Sequence, residues 1–201
     1  MRVIIRLLVA AMLAATLVST PAHADRELTD APDPYVHRGT GLAFPERLEG
    51  FRRDAIIEHD GKSGDVTIDY WVEGATPMLI GILLNKGDGG SCADWFEAIG
   101  AAVVQEKGVI RDTDAAPFVL LPEAAFQQFS ATYTLPARTL DTDHPELAKP
   151  QLIACPFAKS GRAPAWVVHY SATLRAADAP HAEGLARQLF AAIDWSPLLG
   201  K

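Results

Sequence analysis

The stretch VTIDYWVEGATPMLIGILL, residues 66–84, decides the fold of this chain. In its first part, apolar and polar side chains alternate, which is the pattern of a strand with one buried face. The apolar set of that strand is Val66, Ile68, Tyr70 and Val72. The run MLIGILL that follows, residues 78–84, has no polar side chain, which predicts a central strand covered on both faces.

Further strands and two helices are predicted on both sides of this stretch. Residues 51–58 form a strand candidate before it, and residues 129–135, 151–157 and 165–174 form three after it. A helix is predicted from Ser91 to about Lys107, since a capping pair Ser91 and Asp94 opens it and Gly108 ends it. A second helix is predicted over residues 180–194, with an apolar stripe of Leu185, Leu189, Ala192 and Ile193. The apolar stripe of the first helix is Cys92, Trp95, Phe96, Ile99 and Val103.

These elements occur in the order β-β-β-α-β-β-β-α. Strands that follow one another through hairpin-length connections favour an antiparallel sheet over alternating βαβ units. We therefore predict an α+β fold, with a curved and mainly antiparallel sheet of about six to seven strands and two main helices packed on it.

The order of elements resembles that of small exported domains of the PsbP and DcrB kind. The resemblance covers residues 41–196 and rests on GLAFPERLEGFRRDAI (41–56), on VTIDYWVEG (66–74), on the MLIGILL strand and on the two helices. It lies in order and pattern and carries no catalytic residue. It implies a curved antiparallel sheet with helices packed against it.

The first 24 residues, MRVIIRLLVAAMLAATLVSTPAHA, have the features of a cleaved secretory signal. Arg2 and Arg6 provide a positive start, and an apolar run from residue 7 to residue 18 follows. As a helix this run would rise about 18 Å, well short of the roughly 30 Å hydrocarbon core of a membrane. We predict cleavage between Ala24 and Asp25, an extended N-terminal arm over residues 25–40 and a single globular domain over residues 41–201. The predicted location is periplasmic or secreted, with no integral membrane segment after cleavage.

The two cysteines of the chain, Cys92 and Cys155, both follow the predicted cleavage point. In an oxidising compartment such a lone pair usually forms a bridge, so we predict a structural disulfide between them. A catalytic thiol is the alternative, although Cys155 precedes Pro156 in an apolar strand with no neighbouring base.

A net charge of −7 and a pI near 5.3 argue against a nucleic-acid binder, whose surface would be basic, so we expect no nucleic-acid partner. The leading hypothesis is a non-enzymatic binding or accessory domain of the cell envelope, whose partner is an envelope protein or a small molecule. Trp71 is the candidate contact residue, because it lies on the otherwise polar face of its strand, between Asp69 and Glu73. The alternative is a hydrolase-type enzyme whose site is assembled from separated His, Asp and Ser residues, since the chain has no GxSxG motif.

Acidic residues in two turns are the weak candidates for a metal site. Asp141, Asp143 and Glu146 lie in one loop beside His144, and Glu58, His59 and Asp60 form a second group. Hard cations prefer such oxygen ligands, but acidic turns are usually only solvated. We therefore expect no metal and no other cofactor.

Overall fold

A computed structural model of the chain describes residues 25–59, 64–72, 78–105, 108–137, 145–157 and 164–200. Six of its strands have seven residues or more, and two helices have 14 residues each. The strands are β1 Arg26–Glu27, β2 Tyr35–Val36, β3 Ala43–Phe44, β4 Arg47–Leu48, β5 Phe51–Glu58, β6 Val66–Val72, β7 Met78–Lys86, β8 Ile110–Asp112, β9 Phe126–Leu135, β10 Leu147–Pro156 and β11 Trp166–Arg175. The helices are α1 Cys92–Gln105 and α2 Ala179–Ala192, with 3-10 turns at Ala176–Asp178 and Ser196–Leu199.

Nine strands form one antiparallel sheet in the order β1-β5-β6-β7-β11-β10-β9-β8, with β4 paired to β5. The small strands β2 and β3 pair with each other in a second sheet. The long strands form two meanders that meet where β7 pairs with β11. After β7 the chain passes through α1 to the far edge at β8 and then returns strand by strand to the centre.

The first face of the sheet carries the main core. The alternating residues of β6 that the sequence predicts to be buried are all at most 5% exposed. They pack with the apolar residues of β7 and β11 and with α2, whose buried residues are Ala182, Ala186, Leu189 and Phe190. Tyr35 and Phe44 from the N-terminal part also belong to this cluster. The segment 25–40 is therefore packed onto the sheet, and its strand β1 pairs with β5.

The second face carries a smaller cluster under α1. This helix packs on β9 and β10, and its buried residues Cys92 and Phe96 contact Ala131, Tyr133 and Ile153 there. Ser91 and Asp94 form the expected reciprocal cap: the Ser91 N–H donates to Asp94 Oδ2 at 2.9 Å, and the Asp94 N–H donates to Ser91 Oγ at 3.2 Å. The helix thus begins where the sequence predicts.

The predicted fold class is wrong. A balanced α+β fold of six to seven strands in the order β-β-β-α-β-β-β-α does not describe this protein, which is largely a β-sheet fold with nine strands in its main sheet. The three additional strands of the main sheet are β1, β4 and β8, while β2 and β3 form the second sheet, and each of these five strands has two or three residues. Two residues cannot display a period-2 pattern, so only backbone pairing with a neighbouring strand identifies such elements.

The prediction that the MLIGILL strand is covered on both faces is also wrong in part. β7 is central, and its residues Met78, Ile80, Ile82 and Leu84 are buried on the first face. On the second face, however, Leu79 is 38% exposed.

None of the helices that the structure describes is long and apolar enough to cross a membrane.

Candidate functional site

The second face of β6, β7 and β11, beyond the cluster under α1, is here called the open face. Trp71 and Leu83 are half-buried there and Leu79 is exposed. Among the residues that the structure describes, neither hydrophobic cluster includes any of these three side chains. An apolar surface that the fold does not use for its core is available for binding.

A row of polar residues crosses the open face. In the register of the sheet, Asp69 lies opposite Gly81, Gly81 opposite Ser171, and Ser171 opposite Gln151. A Cβ on Gly81 would lie 3.2 Å from Asp69 Oδ1 and 3.2 Å from Ser171 Oγ. The missing side chain of Gly81 therefore lets both oxygen atoms converge above the middle of β7.

The polar groups of this row are open to a ligand. Within the described residues, the Asp69 carboxylate and the Ser171 hydroxyl have no hydrogen-bond partner in the chain. Burial raises the pKa of Asp69 from 3.8 to about 6, and the charge of Asp54 adds to the shift while His59 opposes it. The carboxylate is thus charged at neutral pH but poorly solvated, so a hydrogen-bond donor from a ligand would stabilise it.

His169 and Gln151 form the covered end of the row. The imidazole Nε2 donates to Gln151 Oε1 at 2.7 Å, with the amide oxygen as acceptor, and both residues are buried. Burial lowers the pKa of His169 from 6.5 to about 4, so its ring is neutral. Nδ1 is buried and has no partner in the part of the chain that the structure describes. The Gln151 amide group, fixed through its oxygen, still has its N–H donors for other contacts.

Trp71 lies beside the polar row. It pairs with Arg52 on one side and with Leu79 on the other, and Leu79 pairs in turn with the exposed Thr173. Trp71 and Asp69 are two positions apart in β6, so they share this face. An indole next to a carboxylate and a hydroxyl is an arrangement that can stack on a ligand and hydrogen-bond it at the same time.

His59 lies at the rim of the open face, between the N-terminal residues and β6. Its Nε2 is 2.6 Å from Thr67 Oγ1, and its Nδ1 is 3.0 Å from Asp25 Oδ1. Asp25, predicted to follow the signal cleavage, is thus in contact with the rim.

The open face brings a Ser, a His and an Asp together without the contacts of a catalytic triad. His169 donates to Gln151, and no hydrogen bond joins it to Ser171 or Asp69 among the described residues. Nucleophilic catalysis needs a base in contact with the nucleophile and a group that orients that base. The described residues of the open face therefore do not form a Ser-His-Asp triad.

His37 and His181 lie apart from this face. His37 is buried, and its Nδ1 and Nε2 lie 2.8 Å from Thr40 Oγ1 and 2.7 Å from the Gly64 carbonyl oxygen. His181 is exposed on α2, and His144 lies outside the described residues.

The predicted metal loop and cleavage site lie mainly outside the described residues. Asp141, Asp143 and Ala24 are not among them, whereas Glu146 is exposed and its carbonyl oxygen accepts the Ala176 N–H at 2.9 Å. The described residues contain no group of three or more His, Cys, Asp or Glu side chains that could hold a metal ion.

Cys92 and Cys155 lie at disulfide distance. Their sulfur atoms are 2.22 Å apart and their Cα atoms 5.9 Å apart. The pair joins the first turn of α1 to β10 and lies at the centre of the second-face cluster.

The alternation in β6 predicts Trp71 and Asp69 on this face, whereas no sequence pattern predicted Gly81, Ser171 and Gln151 there. The sequence signal that could have identified Ser171 and Gln151 is a polar side chain at every second position of an otherwise apolar strand. Their alignment in one row depends on the register of β6, β7, β11 and β10, which is a property of the tertiary structure.

No protein-family model, no curated protein and no solved structure matches this chain.

Proposed function

We propose that this chain is an exported, non-enzymatic binding protein of the cell envelope that holds a small polar ligand on its open face. The observation that carries this proposal is the row of Asp69, Ser171 and Gln151 beside Trp71, in which the Asp69 and Ser171 side-chain oxygens converge around Gly81. Asp69 and Ser171 form no hydrogen bond with the described residues and are partly exposed, so a ligand on this face can reach both side chains.

The chemistry of the row favours a ligand rich in hydroxyl groups. The Asp69 carboxylate accepts hydrogen bonds, the Gln151 amide group donates them, and the Ser171 hydroxyl can do both. Neighbouring hydroxyls on a sugar-like ring can both donate hydrogen bonds to such a row and accept them from it. Its apolar ring face would stack on Trp71.

Two features support export. The pattern of residues 1–24 predicts a secretory signal. Two cysteines at disulfide distance suit an oxidising compartment, where such bridges persist. The resemblance to PsbP-like and DcrB-like domains belongs to the same proposal, since those are exported domains with a curved antiparallel sheet.

The proposal is tested by titrating the oxidised, isotope-labelled protein with glucose, N-acetylglucosamine and maltose and recording amide chemical shifts. We expect at least one sugar to shift the signals of Asp69, Trp71 and Ser171. Trp71→Ala and Ser171→Ala should each weaken the binding of that sugar about tenfold, because each variant removes one stacking or hydrogen-bonding contact. Thr113→Ala is the control for Ser171→Ala, because Thr113 is exposed in a turn outside the open face.

Two results would overturn the proposal. The first is that none of the sugars perturbs these signals, or that the two variants bind as the wild type does. The second is hydrolysis of p-nitrophenyl acetate that disappears in Ser171→Ala and persists in Thr113→Ala. That result would favour the hydrolase alternative.

A further inference from the structure

A cleft of about 350 Å³ opens on the opposite side of the sheet, next to the start of α2. The segment after β8, the strands β9 to β11 and the first turns of α2 form its walls. Its size lies in the range of small-molecule sites. The lining residues are Asp112, Ala115, Ala116, Phe118, Thr132, Pro150, Tyr170, Ala179, Pro180 and Glu183.

Tyr170 is the buried polar group of this cleft. It is 1% exposed, and its ring is fixed by edge-to-face contacts with Phe118 at 6.0 Å and with Phe190 at 5.8 Å. Its hydroxyl has no hydrogen-bond partner among the described residues. Tyr170 lines the cleft and its hydroxyl is not one of the polar atoms buried without a partner in the described residues, so this hydroxyl is free to form a hydrogen bond with a ligand atom in the cleft.

The cleft is mainly apolar, and its charged residues are both acidic. Asp112 and Glu183 line it, and no basic residue does so within the described part of the chain. Arg187 pairs with Glu183 at 2.5 Å but does not line this cleft. Because Arg187 offsets the charge of Glu183, the Asp112 carboxylate is the main negative charge of the cleft, and it outweighs the positive charge of about half a unit at the start of α2. The net charge therefore favours a cation.

Hydrogen bonds within the chain hold the wall of the cleft in place. Ser130 Oγ accepts a hydrogen bond from the Phe118 N–H and donates one to the Phe118 carbonyl oxygen, and both bonds are 2.7 Å long. Asp112 Oδ1 accepts the N–H groups of Asp114 and Ala115 at 3.0 and 3.2 Å, which fixes the turn next to the cleft. A preformed site binds with less loss of entropy than one that has to order itself.

We propose that this cleft is a second binding site, independent of the open face, for a small apolar amine in its protonated form. The apolar body packs against Phe118 and Pro180. The ammonium group is placed towards the carboxylates of Glu183 and Asp112, within reach of the Tyr170 hydroxyl. Burial, together with the charge of Glu183, raises the pKa of Tyr170, so its hydroxyl stays protonated and neutral beside the cation.

The test uses the oxidised protein and amide chemical shifts in titrations with methylamine, butylamine and phenethylamine. Phenylacetate serves as the anionic counterpart of phenethylamine. We expect the shifts to be confined to residues around Phe118, Tyr170 and the start of α2. Affinity should rise with the size of the apolar body, and phenylacetate should not bind there.

Variants separate the contributions of the cleft. Tyr170→Phe should weaken phenethylamine binding about three- to tenfold, the loss of one hydrogen bond. Tyr133→Phe is its matched control, because Tyr133 is equally buried but lies in the cluster under α1 on the other face. Glu183→Gln should weaken binding, whereas Arg187→Gln should leave it unchanged or tighten it.

The proposal fails if no amine shifts the cleft signals at millimolar concentration, or if phenylacetate binds as well as phenethylamine. It also fails if Tyr170→Phe, shown to be folded by its amide spectrum, binds as the wild type does. Loss of sugar binding at the open face would not affect these outcomes.

Discussion

The imidazole of His169 donates from Nε2 to Oε1 of Gln151 at 2.7 Å across the pairing of β11 with β10. The contact lies where the cover of α1 ends: Val167 is fully buried on the same face, His169 is 7% exposed, and Thr173 is exposed. The pair is thus the boundary between the second-face core and the open face. A neutral histidine at this boundary links the stability of the fold to pH.

His169 should make the protein less stable in acid. Its pKa is about 4 in the fold and 6.5 as the ordinary value, so its contribution is fully present above pH 6.5 and is lost as the pH falls towards 4. The free energy of unfolding should decrease by about 3 kcal/mol between about pH 7 and pH 4 from this residue. Urea unfolding across this pH range measures the free energy of unfolding, and NMR titration of the His169 ring measures its pKa.

The double variant His169→Leu with Gln151→Leu is the control, because it replaces both polar partners by apolar groups. Its stability should fall less steeply in acid than that of the wild type. An NMR pKa of His169 close to 6.5 would contradict the prediction.

Asp69→Asn should stabilise the fold at neutral pH. The pKa of Asp69 is raised from 3.8 to about 6, so the stability linked to its neutral form is present below pH 3.8 and is lost as the pH rises through about 6. Since the side chain is partly solvated, we expect a gain of about 1 kcal/mol above pH 7 and none below pH 4. Chemical unfolding at both pH values measures the gain, and Asp114→Asn, in an exposed turn, is the control. An equal gain at both pH values would count against the raised pKa.

Trp71→Ala should cost little stability. Trp71 is half-buried and belongs to neither cluster of the described residues, so we expect a loss of about 1 kcal/mol. Trp195→Ala is the matched comparison: Trp195 is 7% exposed, stacks on Phe190 at 5.2 Å and donates from Nε1 to the Phe190 carbonyl oxygen at 2.8 Å. That loss should be about 3–5 kcal/mol. Thermal and urea unfolding compare the two, and equal losses would show that Trp71 is a core residue.

Removing the cysteine pair should destabilise the fold strongly. The bridge closes a loop with a sequence separation of 63, for which the chain-entropy relation gives about 4 kcal/mol. We expect the double variant Cys92→Ala with Cys155→Ala to lose that amount of unfolding free energy in guanidinium. The wild type treated with reductant should be as unstable as this variant. If the double variant and the oxidised wild type unfold at the same midpoint, the pair does not form a bridge in the isolated protein.

Local patterns predicted the long strands and the helices because each pattern repeats many times within one element. The alternation of Val66, Ile68, Tyr70 and Val72 marks a buried face, and those residues form it. The stripe and the cap of α1 involve neighbours three and four residues apart, so they too are visible in the chain. The stripe of α2 was predicted less well: Ala192, expected on its buried side, is exposed, whereas Phe190 is buried.

The sequence by itself determined that the long strands and the two helices are present, although β9 and β10 begin three and four residues before their predicted starts. It also determined that α1 opens with a capping pair and that Cys92 had one possible partner. The elements and the cap depend on residues close together in the chain, and the partner of Cys92 follows from the number of cysteines. Only the tertiary structure decided the short strands of the nine-stranded sheet, the row of Asp69, Gly81, Ser171 and Gln151, and the cleft around Tyr170. Each of these depends on which strand lies beside which and in what register. A shift of one residue would turn every side chain to the other face, and no local pattern contains that information.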